Sequence, residues 1–169
     1  MEFRLATYKD GQKIQHIFDQ GTDYFKALGI DQWQDGYPNE AVIKDDILKE
    51  QCYVACDSDD IYGVIVMTLI EEDDYLTVEG GAWRYEGDYG VIHRLAVNKD
   101  YPAKGLSYEL IAYAEKMALE KGRMIMRVDT HKDNLGMQHL LAKSGYQYIG
   151  DLMLSGGLPR IGLDKKLKN

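Results

Sequence analysis

The stretch from Tyr89 to Asp129 constrains the chain most. Tyr89–Val97 (YGVIHRLAV) is an apolar run that predicts a strand, and the polar segment Asn98-Lys-Asp-Tyr-Pro-Ala-Lys-Gly-Leu-Ser107 follows it. Leu106, Leu110, Ala114, Met117 and Ala118 recur at helical spacing, which predicts a helix over 105–121 with these residues inward. Residues 124–129 again read as a strand. Strand, helix and strand joined by short links form a parallel βαβ unit, right-handed by the usual crossover rule. A second helix over 134–144 then leads to strands at Gln147–Leu154 and 160–167.

Upstream, residues 3–6 predict a first strand. Asp10 stands where it would cap a helix whose inward positions are Ile14, Ile17, Phe18, Tyr24, Phe25 and Leu28, with Gly29 as its stop. An aromatic loop, Ile30-Asp-Gln-Trp-Gln-Asp-Gly-Tyr-Pro38, precedes a short helix capped by Asn39, with Val42, Ile43, Ile47 and Leu48 inward. Residues 52–56 and 61–70 predict two strands joined by Asp57-Ser-Asp-Asp60; the second is apolar on both faces, as a buried strand should be. Residues 71–88 hold an acidic cluster, a candidate strand at 75–78, and a glycine-rich stretch with Trp83 and Tyr85. The pattern predicts the α/β (α+β) class, with one mixed sheet and helices on its faces. The 169 residues fit one domain spanning 1–169.

Twenty Lys and Arg against 28 Asp and Glu leave a net charge of −8 and no visible basic stripe, which excludes nonspecific nucleic-acid binding. No apolar run approaches membrane-spanning length, and the N-terminus lacks a charged-then-apolar leader pattern, so a cytoplasmic protein without membrane partners is expected. Cys52 and Cys56 read as two buried reduced thiols, and no His/Cys/Asp/Glu cluster has metal-ligand spacing.

The turn that opens the 105–121 helix is a candidate phosphate site. The first helical turn leaves backbone N–H groups unpaired, the macrodipole adds partial positive charge, and Gly105 lets an anion approach the backbone. A plain helix start is the bland alternative. The spacing around it resembles the GCN5-related N-acetyltransferase superfamily. Leu95-Ala-Val97 ends the strand, and Gly105 of Pro102-Ala-Lys-Gly105-Leu-Ser107 follows Val97 by eight residues. Asn134 opens the next helix, and Gly145-Tyr146 begins eleven residues later. These motifs cover residues 89–150.

The resemblance implies a mostly antiparallel acyl-CoA N-acyltransferase-like sheet with a central parallel βαβ unit and helices on both faces. It implies acetyl-CoA as the acyl donor. Backbone groups of Leu95 and Val97 would bind the pantetheine arm, and N–H groups of Ala103, Lys104, Gly105, Leu106, Ser107 and Tyr108 the pyrophosphate. Asn134 would hydrogen-bond the cofactor. It further implies a homodimer, for which the sequence carries no feature of its own. The chain departs from the family at Pro102, where Arg or Gln is usual, and at Ser107, where Gly or Ala is usual. It also has Leu141 where many members place a Tyr general acid, seven residues after the motif Asn.

Acetyl transfer to an amine needs a base, and His titrates nearest neutral pH. His93 shares the strand face of Leu95 and Val97 by alternation; it reads either as that base or as a histidine satisfied within the sheet. Arg94 faces the other way and reads as a structural ion-pair partner. Asp129 ends the following strand five residues before Asn134, as a catalytic carboxylate or a cap of the next turn. His131 reads as a solvated loop residue, and His16 and His139 as surface residues. Asp31, Trp33 and Tyr37 suit a cationic amine through aromatic faces and charge, with Asp35 beside them and Trp83 and Tyr85 as a second wall. The bland reading is a loop pinned by one buried Trp.

The expected function is therefore direct acetyl transfer from acetyl-CoA to a small-molecule or peptide amine. Neither cysteine lies in the expected site, which disfavours a covalent intermediate. A catalytically inactive acyl-CoA-binding sensor is the rival, on the evidence of Leu141. A phosphoryl-transfer enzyme is disfavoured because the turn lacks a Gly-Lys-Ser/Thr ending.

Overall fold

Each predicted strand but one forms, and together they make a seven-stranded sheet in the order β1-β2-β3-β4-β5-β7-β6 in a computed structural model. The structure describes residues 1–101 and 103–168; Pro102, one of the departures noted above, lies outside them. The strands are β1 (Glu2–Leu5), β2 (Cys52–Asp57), β3 (Asp60–Thr68), β4 (Tyr89–Val97), β5 (Ile125–Thr130), β6 (Gln147–Leu154) and β7 (Leu158–Lys166). The helices are α1 (Gly11–Ala27), α2 (Glu40–Leu48), α3 (Leu106–Glu120) and α4 (Leu135–Lys143). The chain forms two compact units, Met1–Met67 with His93–Ala114, and Thr68–Ile92 with Glu115–Asn169.

In the first unit β1 and β3 run antiparallel on either side of β2. Ile14, Ile17 and Phe18 of α1 and Ile43 and Ile47 of α2 pack on Cys52, Val54, Cys56, Val64 and Val66. Gly63 lets α3 lie close on β3, since a Cβ there would sit 2.8 Å from Leu110 Cδ1. Gly29 ends α1 as expected: it takes φ +68, its N–H meets the Lys26 carbonyl, and Ile30 N–H reaches Phe25.

Three details differ from the expected pattern. Asp10 precedes α1, but its carboxylate accepts hydrogen bonds from the Thr7 N–H at 2.7 Å and from Arg4 at 2.8 and 3.1 Å instead of capping the helix. Tyr24 and Leu28 are exposed: the Tyr24 ring carries Lys99 Nζ at 5.1 Å, and Leu28 is the residue after the last turn. Leu48, the final residue of α2, is 70% exposed because Ile47 takes the inward position.

In the second unit β4 runs parallel to β5, pairing Tyr89 with Ile125, Gly90 with Met126 and Val91 with Arg127. β7 runs antiparallel to both β5 and β6. The expected strand at 75–78 does not form. Asp73–Tyr75 is a single 3₁₀ turn that buries the Tyr75 ring against Trp83 and Tyr89. Beyond it, only Glu79 bridges, antiparallel to Asp151. Arg84 then fixes the segment to β7: its backbone N–H and Nε donate to the fully buried Asp164 carboxylate at 2.8 and 2.6 Å.

Gly81 is the tightest point of this attachment, because a Cβ there would lie 1.8 Å from the Ile149 carbonyl oxygen. Gly81→Ala is expected to destabilise the protein by about 2–3 kcal/mol or more through backbone displacement, read as a lower urea midpoint.

Candidate functional site

The β4–β5 ladder ends at Val91 and Arg127, although β4 runs on to Val97 and β5 to Thr130. Three residues later Arg94 adopts φ +43, a left-handed value inside a strand that residues with a Cβ rarely take. Simple two-residue alternation therefore breaks at Arg94. Leu95 is buried, Val97 is partly exposed and His93 is half-buried, so these three do not share one environment as alternation alone would have it.

Asn98 anchors the turn that follows. Its N–H donates to the Tyr62 carbonyl at 2.8 Å and its amide to Ile61 at 3.0 Å, while its side-chain oxygen accepts from Asp100 N–H at 3.0 Å. Gly105 takes φ +83, and no heavy atom lies within 4 Å of where a Cβ would stand. The approach to its backbone is open. Two of the candidate donors turn inward: Leu106 N–H meets the Ala103 carbonyl at 3.2 Å and Tyr108 N–H meets Gly105 at 3.0 Å. Ser107 is half-buried, and Lys104 and Tyr108 are exposed.

In the second unit the Tyr75 hydroxyl donates to Asp129 at 2.6 Å. Burial, with the Asp129 carboxylate beside it, pushes the Tyr75 pKa well above the usual phenol range, so Tyr75 remains a fixed donor. His131, expected to be solvated, is buried, and its Nδ1 accepts the Asp133 N–H at 3.0 Å. Asn134 is 5% exposed and caps α4, its side-chain oxygen accepting the Met137 N–H at 3.2 Å. Gly145 closes the other end with φ +90, and Tyr146 N–H reaches the Leu141 carbonyl. The Asn134 and Gly145-Tyr146 spacing is thus the length of one capped helix. Leu141 is fully buried, and its aliphatic side chain has no proton to give.

The aromatic residues divide differently from expectation. Trp33 packs edge-on against Phe18 and Phe25, centroids 5.3 and 5.5 Å away, over the notch left by Gly21. It pins its loop to α1. Tyr37 is exposed, and its hydroxyl accepts a hydrogen bond from Arg94 Nη1 at 2.6 Å; Asp31 and Asp35 are exposed. Trp83 and Tyr89 hold the guanidinium of Arg127, 4.4 and 4.1 Å from their ring centroids, and Arg127 donates to the Tyr85 carbonyl. That aromatic wall already holds a cation of its own. Sequence reasoning missed Tyr75 and Arg127, whose partners lie dozens of residues away and leave no local signal.

Residues 15–146 match the model of the acetyltransferase (GNAT) family, and the chain belongs to that family. It is an acetyltransferase. An acetyltransferase of the GNAT family from Streptococcus agalactiae is 29% identical, superimposes with a TM-score of 0.86, and covers 99% of this chain and 96% of its own. Two more distant structures share the fold. The NatC complex, solved with a Gag peptide and CoA, gives 15% identity and a TM-score of 0.70 over 99% of this chain and 98% of its own. An aminoglycoside 6'-acetyltransferase type Ii gives 17% and 0.63 over 100% and 99%. No curated protein sequence matches the chain significantly. Membership makes acetyl-CoA the acyl donor, and the open approach to Gly105 fits a phosphate-bearing donor.

Among the described residues no group of His, Cys, Asp and Glu is arranged to hold a metal ion, and no helix is long and apolar enough to cross a membrane. Both cysteines are buried in the core. Burial pushes the Cys52 thiol up to about 12 and raises that of Cys56 as well. A thiol with a raised pKa stays protonated until the pH climbs toward that value. Neither is expected to react with Ellman's reagent in the folded protein at mildly alkaline pH, and both should react once guanidinium chloride unfolds it.

Proposed function

We propose that the chain, as one domain over 1–169, transfers an acetyl group from acetyl-CoA directly to an amine of a small molecule or peptide. The observation that carries this is the kinked end of β4 running into an open glycine turn and α3, in a chain of the acetyltransferase family. Acetyl-CoA supplies a thioester: the amine nitrogen bonds to its carbonyl carbon, the C–S bond breaks, and CoA leaves as the thiol with the proton that the attacking amine loses. Backbone groups of Leu95 and Val97 bind the pantetheine arm, and N–H groups of the Ala103–Tyr108 turn (Ala103, Lys104, Gly105 and Ser107 foremost) bind the pyrophosphate. Leu106 and Tyr108 contribute less, since their N–H groups already meet carbonyls of the same turn. Asn134 offers its side-chain amide while its oxygen caps α4.

His93 receives the proton of the incoming ammonium, so that the amine attacks as a neutral nucleophile. Asp129, oriented by Tyr75, holds positive charge on the acceptor. Asp31 and Tyr37 form the acceptor side of the first unit, and Trp33 holds their loop. Stabilisation of the thioester oxygen by oriented backbone dipoles is the main electrostatic help. The protein works in the cytoplasm without nucleic-acid or membrane partners, and self-association as a homodimer accompanies the family resemblance.

Calorimetric titration with acetyl-CoA, CoA and ATP, followed by thiol release over a panel of spermidine, tyramine and short peptides, tests this reading. Acetyl-CoA and CoA are expected to bind, ATP is not, and at least one amine should release thiol. Binding without release on any amine would favour the sensor. Gly105→Val should weaken acetyl-CoA at least about tenfold, since its side chain fills the open approach. His93→Ala should lower turnover about a hundredfold or more and leave donor affinity unchanged.

A further inference from the structure

Arg94 is the point where the strained strand meets the acceptor-side loop. Its side chain is 12% exposed and that of Asp46, on α2, is 4% exposed. Nε and Nη2 of Arg94 donate to the two Asp46 oxygens at 2.8 and 2.7 Å, a fork-to-fork pair that only a planar guanidinium can make. Gln51 Nε2 donates to Asp46 at 3.0 Å and fixes the carboxylate from the far side. The remaining nitrogen, Nη1, donates to the Tyr37 hydroxyl at 2.6 Å, with the guanidinium 5.9 Å from the ring centroid. One side chain therefore holds a left-handed backbone in β4, anchors it to α2 and tethers the 31–38 loop.

We propose that Arg94 is a positioning residue that couples the loop bearing Asp31 and Tyr37 to the strand bearing Leu95 and Val97. When the donor engages that strand, the loop becomes ordered through the Arg94–Tyr37 hydrogen bond without touching the donor. The inference rests on the reading of Leu95 and Val97 as donor-binding groups. A β4 backbone held in a costly conformation keeps that conformation only while its surroundings determine it, and Asp46 is the surrounding that does so. Linkage is reciprocal: if donor binding favours the ordered loop, the ordered loop must favour donor binding by the same factor.

Amide hydrogen exchange of the full chain, with and without acetyl-CoA, tests the coupling with no need for the acceptor. In the wild type, acetyl-CoA is expected to slow exchange in both 93–97 and 31–38, each by roughly fivefold or more. Tyr37→Phe removes one exposed hydroxyl and keeps the ring. It should leave thermal stability and the protection of 93–97 intact while abolishing the protection of 31–38. Arg94→Lys keeps the charge but not the fork, and should also uncouple the loop. Protection of 31–38 that persists in Tyr37→Phe, or that is missing in a wild type whose 93–97 is protected, overturns the proposal. Absence of both binding heat and protection instead removes the donor reading, and this inference with it.

Discussion

A strand cannot present the same backbone edge to a neighbouring strand and to a ligand. β4 ends its ladder with β5 at Val91, and at Arg94, still inside the strand, its backbone takes a left-handed φ of +43. Leu95 and Val97 are freed from β5 pairing, Asn98 roots the next turn in β3 through Tyr62 and Ile61, and Gly105 opens the start of α3. The conformation at Arg94 is unfavourable in isolation, and the side chain at this position is held by the buried Asp46 pair.

That pair belongs to a pattern. Asp10, Asp46 and Asp164 are all buried, and each takes an arginine: Arg4, Arg94 and Arg84. In every case the pair ties an irregular segment or a helix to a strand. Asp10 binds the turn before α1 to β1, Asp46 binds α2 to the kink in β4, and Asp164 binds the 69–88 segment to β7. Burial raises the Asp10 carboxyl, but Arg4 and the Thr7 N–H and hydroxyl outweigh it and hold its pKa below the usual range. Buried pairs of this kind add little net stability over apolar packing. Their effect is directional, since losing either partner leaves a buried charge and frees the loop it held.

The regular elements were legible because their signals are local. Tyr89–Val97 and Gln147–Leu154 form over the expected residues, and the helix ends follow Asn39, Gly29, Asn134 and Gly145. In the candidate site, only the elements that a motif spans were legible: the end of β4, the glycine turn and the capped helix α4. Arg94 has no intrinsic preference for a left-handed backbone, so its φ could not be read from its type; its role as an ion-pair partner could. Trp33 shows how two readings can stand side by side. A tryptophan between aspartates in a loop suits a cationic ligand, and what lets it pack, partly buried, against the core is Gly21, a residue on a helix whose missing Cβ leaves room for the ring. Residues 71–88 stayed ambiguous because their order comes from Arg84 and Asp164, 80 positions apart.

The arginines also engage much of the chain's aromatic surface. Trp83 and Tyr89 are engaged by Arg127, and Trp33 by Phe18 and Phe25. Burial pulls the Arg127 pKa down, while the neighbouring Tyr89 and Asp164 favour its charged form. These aromatic faces are therefore already taken up by side chains of the chain itself. Asp31 and Asp35 are exposed on the loop of the first unit, and the chain as a whole carries a net charge of −8. Charge attraction of this sort is long-ranged and weakly selective. The loop that carries these carboxylates is tied to β4 at its Tyr37 end by the hydrogen bond from Arg94.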